Sequence, residues 1–387
     1  MVKTESWTGR AVLMLAHCAG MVDMVALPVW VGTLVSAYGL DAQQAGGLAT
    51  LFLMGAVASS VFFAPRFNRV NARLAAAVGF GLAALAFFGL TATRDFGTMA
   101  ALHGLAGVAA GCGLSFTHGT IGRSANPHRL FALVGVAMGF FAVGFFVATP
   151  QLVKALGGAA LFQVFAGVMV MGAVASALAF PTVHASAPGA APTAPAAQQP
   201  IPRAVWFAVF GVACMALVQA MMFSFVERIG TDRGFGFEAV SGVLIALGLV
   251  NLLPSPLAAL LQKRWPAHRV VLLGPVAQAA IALTISLSGS FMPYAIATCL
   301  FAGVMIFTHN FAFGLLAALD PSGRAVAATP AMLMVGAAIG PVLGGTLVKA
   351  AGYGSLGLVA TLMAALAVAS FWRVRPALAP QQVVVPA

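Results

Sequence analysis

Eight residues in the first long apolar run, HCAGMVDM at positions 17 to 24, carry side chains that bind metal ions and protons. His17 and Met21 are four residues apart, so a helix places them on one face. Met305 and His309 repeat this spacing in MIFTH. Imidazole and thioether ligands together suit Cu(I), but the chain has 17 methionines, and methionine commonly fills gaps between helices. We therefore predict no metal site and no cofactor, and keep these four residues as the ligands of a metal alternative.

Asp23 is the one acidic residue that we expect deep within an apolar run. It lies 13 residues after Arg10 and 15 residues before Tyr38, so it falls near the middle of a helix that crosses a bilayer. A carboxylate at that depth costs at least about 2.5 kcal/mol, so it must be protonated, paired or exposed to a water-filled cavity. A proton or cation carrier is the functional interpretation. A packing hydrogen bond made by the neutral acid is the structural one.

The composition of the 387-residue chain is that of an integral membrane protein. Hydrophobic residues make up 61% and charged residues only 7%, with a mean hydropathy of +1.01, whereas a soluble domain has about 25% charged residues. The basic residues behind the net charge of +11 lie in short loops between apolar runs, so we expect no nucleic-acid partner. Four scattered cysteines without a CxxC pair favour neither disulfides nor zinc. The sequence shows no nucleophile with its base, no carboxylate pair and no phosphate-binding glycine loop, so we do not expect an enzyme.

Twelve apolar runs are long enough to cross a membrane, since a spanning helix needs about 20 residues. We number them as spans 1 to 12 and predict the bounds 11–38, 43–63, 74–93, 98–121, 130–151, 159–180, 204–226, 238–261, 270–289, 292–318, 326–348 and 354–372. The sequence therefore predicts an N-terminal six-helix bundle (1–183) and a C-terminal six-helix bundle (204–375). An Ala/Pro-rich cytoplasmic linker (184–203) joins them, because it has no core-forming residues, and a flexible cytoplasmic tail (376–387) follows.

The basic residues set the expected orientation, because cytoplasmic loops of membrane proteins are rich in Lys and Arg. With the N-terminus in the cytoplasm, 14 of the 19 basic residues fall on the inner side and 5 on the outer side. The inner set is Lys3, Arg10, Arg66, Arg69, Arg73, Arg123, Arg129, Arg203, Lys263, Arg264, Arg269, Arg324, Arg373 and Arg375. The outer set is Arg94, Lys154, Arg228, Arg233 and Lys349. We expect a multi-pass protein of a bacterial inner membrane with both termini in the cytoplasm.

The chain resembles the major facilitator superfamily over almost its full length. It has six plus six spans, a long middle linker, and short basic loops after spans 2 and 8 (APRFNRVNAR and QKRWPAHR). The superfamily signature after span 2, GxLaDRxGRR, is partly kept in VFFAPRFNRVNAR, with Arg66 and Arg69 in place but Pro65 at the aspartate position. The span 4 signature, RxxqGxgaa, resembles HGLAGVAAG, with His103 at the arginine position. The resemblance implies an all-α fold of two six-helix pseudo-repeats around a central path.

A glycine pattern typical of span 5 in antiporters of that superfamily, gxxxGPxxGG, occurs in span 11 as GAAIGPVLGG. Its residues Gly336, Gly340 and Gly344 would let two helix backbones approach closely, and Pro341 would bend the helix. Our candidates for gating and packing are these four residues together with Arg66 and Arg69 of the loop after span 2. Because the pattern lies in the second half rather than the first, it does not predict an antiporter.

The resemblance also selects candidate site residues, since spans 1, 4, 7 and 10 line the central cavity in that superfamily. We expect Asp23 and His103 to couple protons, and His118 to lie close to the inner face beside Arg123. Glu227 is expected in a solvated cluster with other charged residues at an outer loop after span 7, and the alternative is that it lines the outer mouth, since it follows the span closely. The candidate substrate contacts are His17, Gln219, Asn251, Phe307, His309 and Asn310. For each polar residue among them, a hydrogen bond between helices is the alternative.

These residues favour a proton-coupled secondary transporter for a small organic compound, amphipathic or aromatic, because the spans are rich in Phe and Met and contain no deep Arg or Lys. The expected partners are the substrate, protons and the lipid bilayer, and the expected state is a monomer. Two alternatives stay open. One is a copper importer of the same fold that uses the His/Met pairs, and the other is a membrane receptor or assembly factor that transports nothing.

Overall fold

The computed structural model describes residues 2–181, 201–320 and 329–374. This part of the chain is all-α, without a β-strand, and contains twelve helical spans that are long and apolar enough to cross a membrane. The predicted number of spans is confirmed. Most of the predicted linker and the whole of the predicted tail lie outside the described residues, as does the start of predicted span 11, so the domain bounds stay a prediction.

The helices of the first half (spans 1 to 6) are Trp7–Gly20 and Val22–Ser36 (span 1), Ala42–Phe63 (span 2), Ala72–Leu90 (span 3), Phe96–Gly122 (span 4), Pro127–Leu156 (span 5) and Ala159–Ala179 (span 6). Those of the second half (spans 7 to 12) are Arg203–Phe223 and Val226–Asp232 (span 7), Phe237–Val250 and Pro254–Leu261 (span 8), Ala267–Leu287 (span 9), Phe291–Leu319 (span 10), Thr329–Ala351 (span 11) and Gly354–Trp372 (span 12). A 3-10 turn, Ala64–Arg69, follows span 2.

Several span ends differ from the prediction because local caps decide where a helix begins and ends. Span 1 begins at Trp7, since the Ser6 side chain accepts a hydrogen bond from the Gly9 N–H and caps the helix. Span 5 runs on to Leu156, where Gly157 adopts a φ of +86°, a conformation that ends helices. Asp95 caps span 4 in the same way as Ser6, by accepting from Thr98 N–H at 2.7 Å.

Spans 1, 7 and 8 are each interrupted. The break in span 1 falls at Met21, and Gly20 beside it packs closely against Leu114 of span 4. In span 7 the hydroxyl of Ser224 donates to the Ala220 carbonyl at 2.7 Å, a bond that competes with the helix ladder and bends it. Span 8 restarts at Pro254, which has no N–H to continue the helix.

Contacts between spans arrange the two halves alike. In the first half span 4 packs on spans 1, 2 and 3, and span 3 packs on span 6. In the second half span 10 packs on spans 7, 8 and 9, and span 9 packs on span 12. The halves meet mainly where span 2 contacts span 11 and where span 5 contacts span 8. This is the predicted arrangement of two six-helix pseudo-repeats.

The loops separate into two ends of the bundle. The terminal face carries the start of span 1 and the loop between spans 4 and 5, which Glu5 joins by accepting from the Ala125 N–H. It also carries the start of span 3 and the end of span 6, where Arg73 donates to the Ala177 and Leu178 carbonyls. The opposite face carries the loops between spans 1 and 2, 3 and 4, 5 and 6, 7 and 8, 9 and 10, and 11 and 12. The contacts between the halves are unequal at these two faces.

Candidate functional site

Asp23 lies in the first turn of the second helix of span 1, immediately after the break at Met21. It is 16 residues from Trp7 and 13 from Ser36, so it sits near the middle of the span. It is partly exposed, and within the described residues no cation or side-chain donor contacts its carboxyl group. The start of a helix carries a partial positive charge from its free N–H groups. A carboxyl group here can therefore gain and lose a proton without a fixed ionic partner.

His103, the second predicted proton-coupling residue, is fully buried inside the first half. Its Nδ1 lies 2.7 Å from the Met99 carbonyl and its Nε2 accepts from the indole N–H of Trp30 at 3.3 Å. Because the indole can only donate, the proton of the neutral ring is on Nδ1 and both ring nitrogens are satisfied. The Trp30 ring also stacks on His103 at a centroid distance of 5.5 Å. This geometry favours packing over proton transfer.

His17 pairs with a residue that the sequence did not suggest. Its Nδ1 lies 3.0 Å from Nε2 of His118, and the ring centroids are 5.2 Å apart. His118 also contacts the Phe131 ring of span 5, so it belongs to the packed region between spans 1, 4 and 5. The sequence placed His118 close to the inner face beside Arg123 and did not predict its pairing with His17. No periodicity within one span reports which residue of another span it faces.

The candidate ligands of the metal alternative are not joined by these contacts. His17 pairs within the first half, whereas the His309 ring lies 5.0 Å from Phe313 on its own span, and Met305 is buried within the second half. Among the described residues no group of three or more His, Cys, Asp or Glu side chains could hold a metal ion. In this arrangement the two His/Met pairs lie in different halves and contact different neighbours.

The remaining polar candidates cluster within the second half. Gln219 of span 7 accepts from Gln278 of span 9 at 3.4 Å, and Asn310 of span 10 donates to Ser255 of span 8 at 3.3 Å. Asn251 lies in the turn that interrupts span 8, and its Oδ1 is buried without a hydrogen-bond partner among the described residues. An unmet buried acceptor costs stability, so Asn251 is the residue of this group best placed to receive a donor from a bound compound.

Phe307 belongs to an aromatic group at the junction of span 10 and the loop after span 8. Its ring lies 5.9 Å from Trp265 and 5.1 Å from Phe311. Aromatic rings at these distances favour edge-to-face and offset arrangements. His309 and Asn310 follow Phe307 on the same helix, and the His309 ring is positioned next to the Met305 carbonyl one turn earlier. Span 10 therefore combines aromatic surface with polar side chains.

The glycine pattern of span 11 has two faces with different partners. Gly336, Gly340 and Gly344 lie against the backbone and side chains of span 7 in their own half. Pro341 faces span 2 of the first half, where its carbonyl oxygen occupies the space that a Cβ on Gly46 would need. The Val342 N–H also donates to Thr50 of span 2 at 3.1 Å. Span 11 is thus held between one span of each half.

Two ion pairs join the halves at the opposite face. Lys349 at the end of span 11 donates to Asp41 before span 2 at 2.8 Å, and Lys154 at the end of span 5 donates to Glu238 at the start of span 8 at 2.9 Å. The hydrogen bond from Lys349, and a second one from the Gln44 N–H, hold the pKa of Asp41 below its ordinary value. Within the described part of the chain, all hydrogen bonds and ion pairs between halves lie toward this face.

The terminal face shows no such link among the described residues. Arg66 instead donates to the Phe62 carbonyl at 2.7 Å and lies over the Phe62 ring, within its own segment. Arg69 is exposed. The guanidinium of Arg123 lies 3.8 Å from the centre of the Phe67 ring. Among the described residues, hydrogen bonds and ion pairs therefore join the two halves toward the opposite face and not at the terminal face.

Glu227 lies deeper than the solvated cluster that the sequence favoured. It belongs to span 7, in the first turn of the short helix Val226–Asp232. Its carboxyl oxygen Oε2 lies directly against Gly32 in span 1. The helix continues past the predicted end of the span at Val226, so Glu227 contacts the first half. The sequence placed Glu227 just after the span, but the apolar run did not predict this helix or its contact with Gly32.

Comparisons with known proteins agree on the fold. Residues 12–327 match the sequence profile of the Major Facilitator Superfamily. A bacterial homologue of the human lysosomal transporter Spinster, in an inward-facing and occupied conformation, has a TM-score of 0.72 with 13% identity, covering 95% of this chain and 96% of that chain. A D-xylose–proton symporter has a TM-score of 0.73 with 14% identity, covering 93% and 97%. No curated protein sequence matches significantly. At these identities the solved structures show the fold alone.

Proposed function

The chain belongs to the Major Facilitator Superfamily, and we propose that it is a proton-coupled secondary transporter that moves a small organic compound by alternating access. Hydrogen bonds and ion pairs between the halves toward the opposite face, with none between described residues at the terminal face, support this cycle, because a transporter of this architecture rocks its halves around a central site. The similarity to a D-xylose–proton symporter agrees with proton coupling. We further propose that it acts as a monomer in a bacterial inner membrane with both termini cytoplasmic, so that the opposite face is the outer one.

The position of Asp23 is the observation that carries the proposal. A carboxyl group in the middle of a broken span, partly exposed and without a cation among the described residues, has two states of similar cost. It is neutral where water is excluded, and it ionises where a cavity admits water. Exposure that alternates between the two faces then carries one proton per cycle. His103, with both ring nitrogens satisfied, is assigned to packing in this scheme.

The substrate class follows from what lines the path. The described part of the twelve spans holds Lys and Arg only near the span ends, which disfavours a strongly anionic compound. Asn251 offers a buried oxygen without a hydrogen-bond partner among the described residues, and Phe307 and Trp265 offer aromatic surface. This combination suits an aromatic or amphipathic compound with one or two hydrogen-bond donors.

A proton-flux assay tests the proposal. The purified protein is placed in liposomes that enclose the pH dye pyranine, and a panel of aromatic amines, aromatic acids and D-xylose is added outside. We expect an aromatic amine to change the internal pH, and Asp23→Asn to abolish that change while leaving exchange of the same labelled compound across the membrane. An asparagine fills the same volume but cannot carry a proton.

The matched control is Asp95→Asn, because Asp95 caps span 4 outside the apolar region and asparagine caps a helix equally well. This variant should behave as the wild type. Proton movement that persists in Asp23→Asn at equal protein level would refute the proton role of Asp23. A wild-type response to D-xylose but to no aromatic compound would refute the substrate class.

A further inference from the structure

The carboxyl group of Glu227 fills part of the contact between the two halves. Its Oε2 lies against Gly32 of span 1, in space that any side chain at position 32 would occupy. Gly32 is four residues before the end of span 1 at Ser36, and Glu227 is five residues before the end of span 7 at Asp232. The contact therefore lies close to the opposite face, whereas Asp23 lies near the middle of the bundle.

Hydrogen-bond geometry favours the protonated form of Glu227 in this closed arrangement. The hydroxyl oxygen of Thr231 lies 3.1 Å from the Glu227 carbonyl and 2.9 Å from its Oε1. A hydroxyl has one hydrogen, so it can donate to only one of these two acceptors. If the carboxyl group is protonated, it donates to Thr231, which in turn donates to the carbonyl, and every contact is satisfied. If Glu227 is ionised, one of these two acceptors must lose the hydrogen bond from the Thr231 hydroxyl.

The nearby cations are engaged elsewhere. Arg228 pairs with Asp232 at 2.5 Å, and Arg233 donates to the carbonyls of Ile285 and Ser286 at the end of span 9. A carboxylate between packed helices without a cation is costly. The neutral form of Glu227 is thus the one compatible with the contact to Gly32.

The other titratable groups around Glu227 do not replace a cation. The segments that pack on the helix Val226–Asp232 are the second helix of span 1 and parts of spans 8, 9 and 10. Besides Arg228, Asp232 and Arg233, the described ionisable groups on these segments and their adjoining loops are Asp23, Tyr38, Asp41, Glu238, Tyr294 and Cys299, and Tyr353 contacts Asp232. The distant ends of spans 9 and 10 also carry His268, Arg269 and His309, and Asp41 is paired with Lys349. Glu238 is paired with Lys154, the hydroxyl of Tyr294 donates to the Val226 carbonyl at 2.7 Å, and that of Tyr353 donates to Asp232 at 2.5 Å.

We propose that Glu227 is a second proton-binding residue of the transport cycle, protonated whenever the outer side is closed and ionised when it opens. This inference rests on the proposed function for its cycle and its orientation. Glu227 takes its proton from the outer side as the halves close and returns it there as they separate. It therefore makes opening of the outer side depend on the external pH, while the number of protons carried across is set by Asp23.

Distance measurements between the halves test this without a substrate. Spin labels are attached at Ala92→Cys and Gly289→Cys, in a variant whose four native cysteines are replaced by alanine. Both positions are exposed and lie in the loops between spans 3 and 4 and between spans 9 and 10. We call them the reporter pair. Because the two loops lie at the same face in different halves, their distance lengthens when the outer side opens.

In the parent protein the long-distance population should grow as the pH rises, since ionisation of Glu227 opposes closure. Glu227→Gln should abolish this dependence and keep the short distance at every pH, because a glutamine amide can donate to Thr231 as the neutral acid does. Thr231→Val should move the midpoint of the transition to lower pH by about 0.4 to 1 unit, the effect of one lost hydrogen bond on the protonated form. Glu5→Gln, an acid at the terminal face that contacts only the first half, should leave the midpoint unchanged.

The outcomes separate this inference from the proposed function. A pH dependence that persists in Glu227→Gln, with the variant still monodisperse in detergent, overturns the role of Glu227. A dependence lost in Asp23→Asn but kept in Glu227→Gln assigns the pH response to Asp23 and likewise overturns it. Failure of the proposed function is read independently, from proton flux in the Asp23→Asn liposomes.

Discussion

Replacing Gly46 by alanine should open the opposite face, which is the outer side in the proposed orientation. Gly46 of span 2 faces the Pro341 carbonyl of span 11, and an added Cβ would overlap that oxygen. The obstacle is backbone rather than a side chain that could turn away, so spans 2 and 11 must separate. The two spans belong to different halves, and the overlap therefore exists only while the outer side is closed.

The size of the effect follows from the cost of the overlap. Extra methyl groups in a tightly packed contact cost about 1 to 3 kcal/mol, and this cost falls on the closed state alone. The ratio of closed to open molecules should then drop by roughly 5- to 150-fold, since 1.4 kcal/mol corresponds to a factor of ten. Separation would also lengthen the hydrogen bond from Val342 to Thr50, which is 3.1 Å in the closed arrangement.

The next residue along the chain provides the control. A Cβ on Gly47 meets no atom within 4 Å, so Gly47→Ala changes helix propensity by the same amount without touching span 11. With the reporter pair we expect Gly46→Ala to convert a large fraction of molecules to the long distance at neutral pH, and Gly47→Ala to match the parent protein. Equal distance distributions in the two variants would refute the reasoning that span 2 and span 11 close the outer side by backbone contact.

Two further predictions concern the ion pairs and the histidines. Replacing Lys154 and Lys349 together by methionine should lower the closed-to-open ratio by roughly 2- to 30-fold, because each exposed pair contributes about 0.2 to 1 kcal/mol. In 1 M salt the parent protein should show distances closer to those of the variant, because salt screens exposed pairs. An unchanged distance between the reporter pair in the double variant would contradict this prediction. Because the pKa of Asp41 is lowered, its carboxylate stays ionised and paired with Lys349 at any pH above the ordinary Asp pKa of about 3.9. A pH change from 6 to 8 should therefore not act through this pair. Replacing His17 and His309 together by glutamine should leave cellular copper, measured by mass spectrometry, unchanged, and a clear fall at equal protein level would make the copper alternative the better one.

The number and order of the spans could be predicted from the sequence because each span is a long apolar run bounded by charged, Gly or Pro residues. The ends of spans 1 and 5 could not be placed as well, since they depend on the Ser6 cap and on the positive φ of Gly157. Capping signals are short and polar, and they lie outside the apolar runs from which the spans were found.

The partners of the site residues were less predictable than the residues themselves. Asp23 was identified by its type and depth alone, because a carboxyl group in an apolar span is rare. The pairing of His17 with His118, the burial of His103 against Trp30 and the contact of Glu227 with Gly32 all depend on how each helix is rotated about its axis. Hydrophobic spans have little amphipathic pattern to report this rotation, since lipid and neighbouring helices are both apolar.

A short repeat of sequence carries the two lysines that pair across the opposite face. LVKALGG (152–158) ends span 5 and LVKAAGY (347–353) ends span 11. In each segment a lysine lies three residues before a glycine of positive φ. Lys154 and Lys349 each pair with an acid near the start of a span in the other half, Glu238 and Asp41 respectively. Repetition of the segment in both halves therefore places one ion pair on each side of the pseudo-symmetry axis.

The weakness of these two pairs is what the proposed cycle requires. All four side chains are exposed, and together the pairs contribute no more than about 2 kcal/mol to closure. A population that must reverse in every cycle can be held only by contributions of this size, because a shift from 1:99 to 99:1 already takes about 5.5 kcal/mol. Protonation of one carboxyl group between the halves is of comparable magnitude, since each pH unit is worth about 1.36 kcal/mol. In the proposed cycle, Glu227 lies next to Gly32 at the same face as these weak ion pairs, and a change of external pH can therefore decide whether the outer side opens.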